Sequence, residues 1–376
     1  MIYFDNAATS KPYPEVVKTY ADLCTNLIGN PSSANGLGTK ADEYLEKARK
    51  QIASCLGLTD FDLFFTSGAT ESNNDAILGY ARRHKKEGTH LLTSLGEHAS
   101  VINVFKELEK EGFSVTYLPL ATDGKIPSSL LKENIGPKTI LVSLMGVNNE
   151  VGTIYPLEEY ASVIKQFPHV AFMSDLTQAI GKVQIPYNCL DLFTMSSHKV
   201  GGLKSSGLLG VRKGISLEPI IFGGGQEEGE RPGTVNVPLA CSLATALRIY
   251  LSSQEKRNEK AKALSDYLRK ELLGMKEEIM MISPEDCCPF IMNFVPLHVK
   301  ASVLVEALSA KEIYVSTRSA CSSKKKGGSS VIKAMGYNES IYDNAIRLSF
   351  EGDEEIQEGK EFILALRSLL KDLKRI

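Results

Sequence analysis

Between residues 60 and 215 the chain repeats one pattern: a short apolar run, a polar or small-residue turn, then a helical stretch. The runs read DLFFTS, THLLTS, FSVTYLPL, TILVSLMG, VAFMSD, LDLFTMSS and GLLGVRKG. Many are apolar throughout instead of alternating, and a strand carries apolar residues on both sides only where both sides are covered. Strands alternating with helices over this length predict an α/β fold, a large domain with a mostly parallel central sheet flanked by helices. In such sheets ligands collect at the carboxyl ends of the strands, so the residues that close each run are the first candidates for chemistry.

The flanks predict a different organisation. Upstream, Tyr44, Leu45, Ala48, Ile52 and Leu56 form an apolar stripe at helical spacing that stops at Gly57, which predicts an amphipathic helix over 40–56. After Pro238 a long helical region runs to about residue 273. Strands FIMNFVPL, IYVSTRSA and AIRLSF follow, with a helix near 300–310 and another at the C-terminus, which reads as a smaller α+β domain. The expected division is residues 1–14 as an N-terminal segment packed with the small domain, 15–240 as the large domain and 241–376 as the small one.

Composition excludes several partners. Lys and Arg number 43 against 45 Asp and Glu, a net charge of −2, so no surface built for nucleic acid or anionic lipid is expected. No apolar run is long enough to span a bilayer, and MIYFDNAATS lacks the basic and apolar regions of a leader, so a cytoplasmic protein with no membrane contact is expected. The 7 cysteines are odd in number, scattered and without a CxxC pair, which predicts neither a disulfide framework nor a metal site. No G-x-G-x-x-G follows the first strand of the large domain, and the GGG at 223–225 lacks its spacing, which argues against a dinucleotide site.

The strand ends carry a coherent set of groups. FTSGATESNN (65–74) runs from a strand through Gly68 to an expected helix start at Thr70, and N–H groups at a helix N-terminus beside a small hydroxyl residue suit a phosphate. His98 follows one strand, Asn149 another, Asp175 and Gln178 a third, and Ser196, His198 and Lys199 a fourth, in TMSSHKVGG. A structural lysine belongs on a solvated helix face; one placed directly after LDLFTMSS suits an amine nucleophile toward an aldehyde. A phosphate cradle, a carboxylate for a ring nitrogen and an aldehyde-binding lysine are together what pyridoxal 5'-phosphate requires.

In order and spacing, DNAAT (5–9), GNPSS (29–33), SGATESNN, EH, VNNEVG, D-x-T-Q, SSHK, GGGQE with RPGT, RSACSS and AIRLS resemble the cysteine desulfurases, fold type I pyridoxal-phosphate enzymes of the class V aminotransferase group. The resemblance covers nearly the whole chain. It implies the pyridoxal-phosphate-dependent transferase fold, with Lys199 bonded to the cofactor and Ala69, Thr70, Ser196 and His198 on the phosphate. It also implies a homodimer in which Thr234 reaches the phosphate from the partner subunit. Asp175 is implied to pair with the pyridine nitrogen, Gln178 to contact the ring hydroxyl, and His98 to stack on the ring and shuttle protons. Asn149 is implied to contact cofactor and substrate, with Asn30 and Arg347 also binding the substrate, Arg347 by clamping its carboxylate.

Cys321 falls at the position of the nucleophile that takes sulfur from bound L-cysteine, releasing alanine and leaving a persulfide for an acceptor protein. Its thiolate does this work, and Arg318 with Lys324 to Lys326 supplies positive charge nearby. The chain departs from the family pattern at Arg318, where glycine is usual, at Glu228 and Glu230 before RPGT, and at Asn35, where histidine follows NPSS. The alternative is another class V pyridoxal-phosphate enzyme, such as a selenocysteine lyase, a cysteine lyase or an aminotransferase. Cys321 separates these, since an aminotransferase has no use for it.

Overall fold

The computed structural model of the protein describes residues 1–317 and 328–373. The chain opens with β1 (Ile2–Tyr3), α1 (Pro14–Asn26) and α2 (Gly36–Leu56). The last of these starts before residue 40, ahead of its apolar stripe, because Asn35 caps it: Oδ1 accepts from the N–H groups of Leu37 and Gly38 at 3.1 and 3.0 Å. Gly57 closes it in the left-handed conformation at φ 67°.

The expected strands and helices of the large domain then follow in order. They are β2 (Phe61–Thr66), α3 (Ala69–Arg83), β3 (His90–Ser94), α4 (Ala99–Lys110), β4 (Ser114–Leu118), α5 (Ser128–Asn134), β5 (Thr139–Ser143), α6 (Leu157–Ile164), β6 (Ala171–Asp175), β7 (Leu192–Ser196) and β8 (Gly207–Arg212). They build one sheet in the order β2-β8-β7-β6-β5-β3-β4. Neighbours from β7 through β4 are parallel, and β8 is antiparallel to both of its neighbours, so β2 again runs with the majority. The mostly parallel α/β sheet is as the apolar runs predict.

Every residue of β5, β6 and β7 is buried, which explains why their sequences do not alternate. Ala76, Ile77, Tyr80, Val101, Val104 and Phe105 from α3 and α4 cover one face. Leu45 and Ile52 from α2 and Tyr160 from α6 belong to the core on the other face. Each of the Val, Leu, Ile and Phe side chains among them contributes roughly 1.5–3 kcal/mol by leaving water. Because β2, β3, β5, β6 and β7 share a direction, their carboxyl ends lie along one edge. The chain order reverses between β3 and β5, where a crevice is expected.

The helical region after Pro238 is two helices, α7 (Val237–Ser252) and α8 (Gln254–Leu273), broken at Ser253. The remainder comprises β9 (Ile279–Met281), β10 (Ile291–Pro296), α9 (Ala301–Ser309), β11 (Ile313–Tyr314), α10 (Ser330–Ala334), α11 (Glu339–Tyr342), β12 (Ile346–Ser349) and α12 (Ile356–Leu373). An antiparallel sheet ordered β12-β10-β9 buries Met292, Phe294 and Leu348 against Leu264, Leu268, Phe362 and Leu366 of α8 and α12. Residue 240 falls within α7, which packs on α1 and α2.

Among the described residues of IYVSTRSA the strand covers Ile313–Tyr314, and its partner is β1, in parallel register. Phe4 then buries its ring against Phe350 and Phe362. The start of the chain is thereby anchored among C-terminal elements, and residues 5–10 are led back across the strand ends of the large sheet. No helix among the described residues is long and apolar enough to cross a membrane.

Candidate active site

A cavity of about 400 Å³ opens at the carboxyl edge of the sheet. Its lining includes Ala69, Thr70, His98, Asn149, Asp175, Gln178, Ser196, His198, Lys199 and Arg347, residues from 69 to 347 in the sequence. The N-terminal segment, through Ala7 and Ala8, closes one side.

The anion-binding end is built at the start of α3. The helix begins at Ala69 with Gly68 as its cap, one residue ahead of the start expected at Thr70, so Thr70 lies in the first turn. Gly68 holds φ at 145°, and β8 passes so close that a Cβ on Gly207 would sit 2.5 Å from the Gly68 Cα. This close pass leaves the first N–H groups of a 15-residue helix facing the cavity beside Ser196, His198 and Ser205. Burial, followed by the charges of Lys199 and Lys204, pushes His198 down to about 4, so it is a neutral hydrogen-bonding group at neutral pH. Its Nδ1 pairs with Thr9 Oγ1 at 3.0 Å.

Asp175 ends β6 and is 4% exposed. Asn73 Nδ2 donates to its Oδ2 and the Thr177 N–H to its Oδ1, both at 2.9 Å. Asn73 continues the connection: Nδ2 also donates to Ser100 Oγ at 2.9 Å, and Oδ1 accepts from Thr194 Oγ1 at 2.6 Å. Ser100 in turn meets His98 Nδ1 twice, with its N–H at 3.2 Å and its hydroxyl at 2.8 Å. An imidazole nitrogen that accepts from a backbone N–H carries no proton, so the Ser100 hydroxyl donates as well. The neutral His98 ring therefore holds its proton on Nε2. The acid and the ring are tied together through two residues that the sequence reading passed over. Asn73 had one legible signal, its place one turn after Ala69 and Thr70 on the same face of α3.

Lys199 Nζ donates to the carbonyls of Ala7 and Ala8 at 2.6 and 2.5 Å, at the cavity wall. Gln178 Nε2 donates to the same Ala7 carbonyl at 3.0 Å. Arg347 is 1% exposed; one nitrogen donates to the Asn149 carbonyl at 2.9 Å, and another pairs with Asp5 Oδ1 at 2.8 Å. Its buried Nε finds no acceptor among the described residues, an unmet donor of the kind a carboxylate satisfies.

Two expected contributors are not brought into the cavity within one chain. Asn30 is exposed, its Oδ1 accepting from the Ser32 N–H in a local turn. Thr234 is exposed and lines an adjoining groove with Arg231, which shares Ser67 and Ser205 with the cavity. Arg231 nevertheless pairs with Glu71 at 2.6 Å, which fastens RPGT beside the start of α3. Of the acidic residues in that stretch, Glu227 turns inward to pair with Arg49 at 2.8 Å, while Glu228 is exposed. Cys321, Arg318 and Lys324 to Lys326 lie outside the described residues.

Glu97 sits behind the site, 4% exposed, and its Oε1 accepts from the Met145 N–H at 2.8 Å. Burial raises its carboxyl to about 8, with Asp175 adding to the rise. The folded protein thus binds this proton more tightly than the unfolded chain. The stability it confers is complete below about pH 4.5 and is lost as pH rises toward 8. We expect Glu97→Gln to melt above the wild type at pH 9 and to lose that advantage at pH 5, with a gap of a few kcal/mol or about 1.4 per pH unit. A melting difference independent of pH would show that Glu97 is ionised in the fold.

The donor set fits pyridoxal phosphate: a helix N-terminus with neutral donors, a buried carboxylate, a ring-sized space beside an imidazole, and an amine at the wall. Comparisons with known proteins agree. The Aminotransferase class-V family matches residues 2–358. A NifS/IcsS protein homolog of Lactobacillus delbrueckii subsp. bulgaricus is 40% identical over 100% of this chain and 99% of that protein. Cysteine desulfurase IscS 1 of Archaeoglobus fulgidus is 35% identical over 99% and 98%. A solved NifS-like protein superposes with a TM-score of 0.92 at 32% identity, covering 99% of this chain and 100% of that one.

Proposed function

The chain belongs to the class-V aminotransferase family and is a pyridoxal-phosphate-dependent cysteine desulfurase, and from that premise we propose how its own residues divide the work. The observation that supports the division is the single cavity where Thr70, His98, Asp175, His198, Lys199 and Arg347 meet. Pyridoxal phosphate, when bound, supplies an aldehyde that captures amines and a ring that draws electrons from the adjoining carbon.

The N–H groups of Ala69 and Thr70, with Ser196 and His198, bind the phosphate at the positive end of α3. Asp175, held by Asn73 and Thr177, keeps a proton on the ring nitrogen. Gln178 offers its amide to the ring hydroxyl, and His98 packs against the ring with its proton on Nε2, so it acts first as an acid. Lys199 provides the amine that joins the aldehyde and afterwards carries protons at Nζ. Arg347 binds the carboxylate of L-cysteine, with Asn149 beside it.

Cys321 completes the set. Its thiolate attacks the sulfur of L-cysteine; the carbon–sulfur bond breaks, its electrons return to the carbon skeleton, and alanine leaves. The sulfur remains as a persulfide on Cys321 for an acceptor protein. The described ends of the segment that carries it are anchored beside the cavity. Ser316 exchanges backbone hydrogen bonds with Arg347 at 3.2 and 2.7 Å, and Ser329 donates to Glu150, next to Asn149. Two copies form a dimer in which each lends Thr234 to the other's phosphate site.

The test is direct. Protein loaded with pyridoxal phosphate and given L-cysteine plus a thiol reductant is expected to release alanine and sulfide in equal amounts. Borohydride should fix the cofactor on the peptide holding Lys199. Protein that takes up no cofactor, or takes it up and makes no alanine from cysteine, rules the assignment out.

A further inference from the structure

A buried lysine lies next to Gln178, at the end of the turn that follows β6. Gly181, at φ 70°, packs so closely on the Tyr250 ring that a Cβ there would approach it to 2.5 Å. This turn sends Lys182 inward, where it is 6% exposed. Its Nζ donates to Gln178 Oε1 at 2.7 Å, and Gln178 Nε2 donates to the Ala7 carbonyl at 3.0 Å. As an ammonium, lysine has only donors, so the amide atom that faces it has to be the carbonyl oxygen. The opposite atom, toward Ala7 and the cavity, is then the NH₂ group.

We propose that Lys182 is a positioning residue that locks the Gln178 amide so the cofactor's ring oxygen meets an N–H donor and never a carbonyl. Without that partner the Ala7 carbonyl alone orients the amide, so the N–H donor is held less firmly, and a turned amide would set a carbonyl against the negative ring oxygen. Burial pushes the Lys182 ammonium down, a cost that this contact and the Phe290 ring 6.0 Å away partly offset. Cys288 and Glu351 favour its charge when they are ionised, while Arg257 and Arg347 oppose it, so a direct charge effect on the site has to be separated from the effect through Gln178.

The inference rests on pyridoxal phosphate being the cofactor, and the experiment separates the two. The holoenzyme's visible absorption band is titrated against pH in wild type, Lys182→Met, Gln178→Leu and the double variant, with a melting curve for each. An N–H donor stabilises negative charge on the ring oxygen. Losing it makes that oxygen hold the proton it shares with the Lys199 nitrogen more tightly, so the midpoint moves to higher pH. Lys182→Met is expected to raise the midpoint by about 0.4–1 pH unit, the span of an ordinary hydrogen bond. In the Gln178→Leu background the same change is expected to add nothing.

A Lys182→Met midpoint equal to wild type overturns the proposal. So does an equal shift in both backgrounds, which would mean that the lysine acts through its charge alone. Should Lys182→Met fail to fold, Lys182→Leu makes the same comparison. A wild type with no visible band after loading would instead remove the cofactor assignment itself.

Discussion

Lys199→Ala is expected to bind pyridoxal phosphate without bonding to it and to produce sulfide from L-cysteine more slowly by on the order of 10³-fold or more, the scale seen when a covalent catalyst is removed. The proposed phosphate site of α3, Ser196 and His198 is untouched by the substitution, so the cofactor should still be held, though it should dialyse away more readily. Borohydride should leave no adduct on the chain. Lys199 is only half-buried, and its hydrogen bonds to the Ala7 and Ala8 carbonyls are made at the cavity wall and not in the core. The melting temperature of the cofactor-free protein should therefore change little. Peptide mapping after reduction checks the first expectation and a methylene blue sulfide assay the second. An adduct found on another lysine of the variant would show that position 199 is not the attachment point.

Cys321→Ala should show the opposite split. The yellow band and its reduction onto Lys199 stay as in wild type, while sulfide and alanine from L-cysteine fall by on the order of 10³-fold. Incubation with cysteine should add one sulfur to the wild-type peptide holding residue 321 and none to the variant. The other cysteines support this assignment by contrast. Burial raises the thiols of Cys55, Cys241, Cys287 and Cys288, the second and fourth to about 11, so few of them are thiolate at neutral pH. None of the six described cysteines lines the cavity. A variant that keeps wild-type desulfurase activity would move the nucleophile's role elsewhere in the chain.

Much of this site is legible in linear order because parallel strands deliver their ends to a common edge. Once the apolar runs are read as strands, His98, Asn149, Asp175 and Ser196 have nowhere else to converge. Local signals succeeded where local physics governs: Gly57 ends α2, and the helix after Gly68 begins as a phosphate site needs. They do not mark Asn35 as the cap of α2, because the first turn after it, Gly36 to Thr39, lies ahead of the apolar stripe that signals the helix. They also merged α7 with α8, since Ser253 is a weak break whose position is fixed by the different surfaces on which the two helices pack.

Sequence alone determined the chemical inventory and the strand edge that collects it, since residue type and hydrophobic period act over a few neighbours. Only the tertiary structure could decide the support behind that inventory. The Arg347 pair with Asp5 joins residues 342 apart, and Gln178 reaches Ala7 across 171. Asn73 bridges to Asp175 across 102. Such contacts depend on where burial places a donor relative to an acceptor, and a buried polar group takes whichever partner the packing brings within about 3 Å. The spacing of residues along the chain carries no record of that choice.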